Sequence, residues 1–149
     1  MATIVPRLLD DWLGPLLWLA GMGHFVVLIA SAQVPSRLRW KEDLAKLTPF
    51  NRKLMWVHGG FALYTILAFG VISLLLHEEI LRGDRAALVF AGFIGVYWLL
   101  RIIVDFTYYD HADWPRGRGF VAGHILLNLL FFYLATVNLL VVGLRGLRN

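Results

Sequence analysis

The chain has 149 residues, 59% of them hydrophobic, with mean hydropathy +0.68; a soluble domain is usually about 45–50% apolar, so a membrane protein is expected. Cysteine is absent, which excludes disulfides, thiolate metal sites, iron–sulfur clusters and covalently attached c-type haem. Net charge is +4, but most Lys and Arg residues flank apolar runs, where they meet lipid headgroups rather than nucleic acid.

Four apolar runs are long enough to cross a bilayer, which takes roughly 20 residues each. They predict spans over about 12–33, 50–77, 85–108 and 119–144. Residues 1–149 then form a single transmembrane domain: an all-α, four-helix up-down bundle. The first run opens at Trp12, with Pro15 in its first turn, and stops at Val34-Pro35-Ser36. Met1 to Asp11 is a poor signal-peptide start, so the run reads as a retained helix.

The connection from Ser36 to Leu47 alternates Leu38, Trp40, Leu44 and Leu47 with charges. It has the pattern of a short interfacial helix between spans 1 and 2. Thr48-Pro49 is a helix start, an N-cap followed by proline at the first helical position. Arg52, Lys53 and Trp56 hold the second run at the interface, and His77-Glu78-Glu79 marks its exit into water. The third run carries Gly92 and Gly95, which permit close helix contact, and then Arg101 and Asp105 at i,i+4. His111 and the turn over 113–119 follow, and Arg145 and Arg148 end the last run.

Each run holds one strongly polar group: His24, His58, Arg101 and His124. At about 1.5 Å rise per residue, His58 and His124 lie about 9 Å from the same face, Arg101 about 12 Å and His24 about 16 Å. All four fall in the same half of the bilayer. Buried ionisable groups there cost at least about 2.5–3.5 kcal/mol on insertion scales, so they are expected to face inward and find partners. Asp105 can pair with Arg101, and Asn128 shares a face with His124. Tyr64, six residues after His58, falls on a different face. Gly23, Gly59, Gly60 and Gly123 flank the histidines. They either clear space for a flat ligand or let helices approach.

Three chemistries fit this constellation. In the first, His58 and His124 ligate a non-covalent haem b for electron transfer, with Arg101 on a propionate, Gly59 and Gly123 giving room, and His24 behind. In the second, His24, His58 and His124 hold a metal ion, with Asp105 as a carboxylate. In the third, the His/Arg/Asp/Tyr cluster relays protons or binds quinone oxygens. The non-catalytic alternative is an accessory or assembly subunit of a larger membrane complex or a homo-oligomer, whose polar groups hold four helices in register. No nucleotide-binding loop or serine triad is present, no catalytic residue is nominated, and no nucleic-acid partner is expected.

The side with both termini carries Arg7, Arg82, Arg85, Arg145 and Arg148; the other carries eight Lys or Arg residues, Arg101 apart. The excess of positive charge places that other side in the cytoplasm and the termini outside. The patterns Trp56-x-His58-Gly59 and Arg101-x-x-x-Asp105-Phe106-x-Tyr108-Tyr109-Asp110 are similar to those of bacterial four-span proteins of undefined activity. That resemblance fits a bacterial inner membrane and supplies no activity. Cytochrome b561-type proteins also pair histidines across helices, but with a different spacing.

Overall fold

The computed structural model describes residues 4–110 and 117–147, which are helical almost throughout and contain no strand. The order is α1 (Ile4–Ala32), α2 (Val34–Arg37), α3 (Trp40–Leu44), α4 (Pro49–Leu75), α5 (His77–Arg82), α6 (Arg85–Thr107) and α7 (Arg118–Gly146). Four stretches are long and apolar enough to cross a membrane: Asp11–Arg37, Pro49–Leu75, Arg85–Thr107 and Arg118–Gly146. In hydrocarbon a single segment satisfies all its backbone polar groups only as a helix, so these helices meet what a membrane crossing requires.

The local signals act largely as their chemistry dictates. Thr48 caps α4 by accepting from the Asn51 amide at 3.4 Å, with Pro49 at the first helical position. Gly83 ends α5 in the left-handed conformation, φ 88°, which a glycine adopts without steric cost. Two expectations are corrected. Helix α1 begins well before Trp12, so Pro15 lies in its interior rather than its first turn. The second long helix, expected to run to His77, ends at Leu75, and the residues after it form the separate helix α5, whose Glu78 side chain is exposed. His77 accordingly is largely shielded, with Nε2 3.0 Å from the Gly14 carbonyl of α1 and Nδ1 3.2 Å from Glu78.

The connection between the first two spans holds two short helices, α2 and α3. Arg52 of α4 ties it down, donating to the carbonyls of Leu44 at 3.1 Å, Ala45 at 2.9 Å and Leu47 at 3.4 Å. Trp40 packs edge-on against Trp56 of α4, ring centres 5.7 Å apart. The turn expected over 113–119 lies mostly outside the described residues, as does His111.

Helix packing relies on glycines at close approaches. A Cβ on Gly95 of α6 would stand 2.7 Å from Leu139 of α7, and one on Gly21 of α1 would stand 2.6 Å from Leu74 of α4. Gly70 of α4 admits Phe25 and the Cβ of His24, and Gly23 admits Leu130 and Leu134. Small residues let backbones approach where lipid offers no hydrophobic drive between helices. Helix α6 packs most extensively on α7, and α1 lies against both α4 and α7. Partners run in opposite order along α1 and α4, where Gly21 meets Leu74 and His24 meets Gly70. They do so again along α6 and α7, where Gly95 meets Leu139 and Asp105 meets His124. The buried core is aliphatic at one end, around Leu13, Leu17 and Ile80, and aromatic around Phe69, Trp98 and Phe131.

Candidate functional site

Helix α6 supplies the centre of the site. Trp98, Arg101 and Asp105 lie at i, i+3 and i+7 and share one face. Trp98 is 2% exposed and its indole stacks on Phe131 of α7, with centroids 4.8 Å apart and planes within 17°. Arg101 lies over the outer part of that stack, its guanidinium carbon 5.5 Å from the Phe131 centroid and 5.6 Å from that of Tyr109.

Asp105 is 1% exposed and is held from two helices. Arg101 Nη1 donates to its Oδ1 at 3.3 Å. His124 Nε2 and Asn128 Nδ2, both from α7, lie 2.8 and 3.0 Å from its Oδ2. A buried carboxylate costs several kcal/mol unless paired and hydrogen-bonded, and three partners meet that need here. The spacing of Asn128 four residues after His124 lets both reach the same oxygen. Oδ1 of Asn128 is buried without a hydrogen-bond partner.

His24 belongs to the other side of Trp98. It is completely buried, and its Nε2 accepts from Trp98 Nε1 at 3.1 Å. An indole nitrogen can only donate, so the proton of this imidazole sits on Nδ1, which donates to the Ala20 carbonyl at 2.8 Å. Both nitrogens of His24 are therefore used inside the protein. His58 differs again. It is exposed on α4, and its Nδ1 bonds the Leu54 carbonyl of its own helix at 2.9 Å. Tyr64 is also exposed, on the outer side of α4.

A pocket of about 410 Å³ opens between α4 on one side and α6 and α7 on the other, with the last turns of α1 and the start of α2 completing its lining. Its aromatic walls are Trp40, Trp56, Tyr97, Trp98 and Phe131, and its basic side chains are Arg101 and His124. Volumes of about 300–1,000 Å³, mostly apolar with a few convergent polar groups, are typical of small-molecule sites. Gly59 and Gly60 line it, with different roles. A Cβ on Gly59 would press on the Trp40 ring at 3.1 Å, whereas one on Gly60 would meet nothing within 4 Å. Gly123 also faces open space, but it is not a lining residue.

Of the groups expected to converge, Arg101, Asp105, His124 and Asn128 form one hydrogen-bonded set. His24 joins them through the Trp98–Phe131 stack and not directly. His58 lines neither the pocket nor the set. Among the described residues, no three His, Asp or Glu side chains are grouped so as to hold a metal ion. Trp98 and Phe131 were not singled out from sequence. The signal was available: Trp98 precedes Arg101 by three, on the same helical face.

No protein-family model matches this chain, and neither a curated protein nor a solved structure shows significant similarity to it.

Proposed function

We propose that this chain is a four-span integral membrane protein, an up-down bundle, that binds an apolar small molecule bearing a hydrogen-bond-accepting oxygen. The observation that carries this reading is Arg101. It lines an aromatic pocket within a span, yet makes one hydrogen bond among the described residues, to Asp105. A guanidinium has five N–H donors, so most remain for a ligand oxygen. The imidazole–carboxylate pair of His124 and Asp105 adds a group able to give or take a proton at the pocket wall. By the balance of Lys and Arg, the pocket half faces the cytoplasm and the termini lie outside.

Haem b is the weaker reading. It asks His58 and His124 to face one iron, whereas His58 lies outside the pocket and His124 Nε2 is engaged by Asp105. A three-histidine metal site asks His24 to give up Trp98 or Ala20.

The test is extraction of protein purified from its native membranes with organic solvent, followed by mass spectrometry. An oxygen-bearing apolar compound enriched in the wild type and depleted in Gly60→Leu supports the reading. Equal recovery from both proteins overturns it. A visible spectrum of the same preparation tests the competitor: a Soret band lost in both His58→Ala and His124→Ala would restore haem.

A further inference from the structure

We infer that the pocket takes a neutral, planar ring bearing carbonyl oxygens, the chemistry of a quinone, with one carbonyl received by Arg101. This rests on the pocket reading above and names its ligand class.

Charge decides against an anion. Among the described residues, Arg101 is the one strong base of the lining and no Asp or Glu lines the pocket, and the guanidinium is already matched by Asp105 behind it. A carboxylate or phosphate ligand would bring a second negative charge toward the same cation in a low-dielectric span, where uncompensated charge is costly. A carbonyl adds no charge and accepts directly from the remaining guanidinium N–H groups.

Shape decides for a ring. Trp98 and Phe131 stack with nearly parallel planes and both line the pocket, and aromatic groups pair well in offset or edge-on geometry. Gly60 lines the pocket from the facing helix, and the space beside it is open, with no atom within 4 Å of an added Cβ, so a bulky side chain there has room to occupy the pocket. Trp40 and Trp56 flank the same pocket toward the charged connection, and they bracket a ring without supplying charge. His24 contributes at one remove: its acceptance of the Trp98 N–H fixes the plane of that indole.

The experiment uses the full chain in detergent micelles and follows tryptophan fluorescence, since Trp40, Trp56 and Trp98 all line the pocket. The probes are a decyl-substituted benzoquinone and decanoate, which share a tail and differ in head. The quinone is expected to quench saturably and to bind at least about tenfold tighter than decanoate. Arg101→Gln is expected to weaken it about tenfold, and Gly60→Leu to abolish the saturable component; tenfold is about 1.4 kcal/mol. If Arg101→Gln does not fold, Arg101→Lys serves, with fewer donors and the charge kept. Saturable decanoate binding that Gly60→Leu removes, with no quinone binding, overturns the quinone assignment and leaves the pocket reading standing. Binding of both probes that is indifferent to Gly60→Leu overturns the pocket reading as well.

Discussion

Trp98 donates its indole N–H to Nε2 of His24 across 3.1 Å, joining α6 to α1 at a point sealed from solvent. Interhelical hydrogen bonds in membranes average only about 0.6 kcal/mol, but a buried acceptor left unpaired costs about 1–3 kcal/mol. Trp98→Phe removes the donor and keeps the ring, so it is expected to destabilise the fold by about 1–2 kcal/mol. Adding His24→Leu removes the orphaned acceptor and is expected to recover part of that loss. Equilibrium unfolding in mixed micelles of the single and double variants measures both. A double variant that is simply the sum of the two singles would deny the coupling.

Asp105 is the most consequential side chain of the polar set. Removing one member of a buried charge pair typically costs about 3–5 kcal/mol, because the other is left uncompensated. Asp105→Ala strands the Arg101 guanidinium and leaves His124 and Asn128 without their shared oxygen. Arg101→Gln leaves Asp105 with two of its three partners. The expected order of unfolding is Asp105→Ala first, Arg101→Gln next and wild type last, read by thermal denaturation in detergent. Similar midpoints for all three would show that the carboxylate does not organise the helices.

The glycines divide by what surrounds them. Gly95→Ala places a Cβ 2.7 Å from the Leu139 side chain and 3.3 Å from its backbone nitrogen, so α6 and α7 must separate. Overpacking of this kind costs about 1–3 kcal/mol. Gly143, inside α7, has nothing within 4 Å of the same added atom. Gly143→Ala is expected to gain up to about 1 kcal/mol from helix propensity alone. The two substitutions should shift the melting temperature in opposite directions.

Arg52 holds three carbonyls in the segment at the end of α3 and just beyond it. Arg52→Ala is expected to loosen that segment while leaving the spans intact. Limited trypsin digestion at Arg39, Lys41 and Lys46 should accelerate severalfold, with little change in the unfolding midpoint. An unchanged digestion rate would show that Trp40 and Leu44 alone anchor the connection.

The spans were legible because length and hydropathy act locally. Thr48-Pro49 announced the start of α4, and the spacing of Arg101 with Asp105 and of His124 with Asn128 was enough to place each pair on one face. Position along each helix axis could be estimated as well, since each residue adds a fixed rise. Rotation about the helix axis could not. In a soluble helix an apolar stripe marks the inward face, but here the lipid-facing and core-facing sides are both apolar. Gly60 meets the pocket while His58, two residues earlier, is turned outward. His24 posed a different difficulty: its partner Trp98 comes from another helix 74 residues away.

His24 and His58 share one habit: each spends Nδ1 on the carbonyl four residues earlier, at 2.8 and 2.9 Å. That leaves a single nitrogen to face outward from the helix, and its surroundings set what each ring can do. For His24 the outward atom is stoppered by an indole, so it cannot be acylated or metallated without prying α1 from α6. For His58 it meets no partner among the described residues, so an electrophile should reach this ring before that of His24. Identical residues, tied to the backbone in the same way, thus become a rivet in one span and a reactive handle in the next.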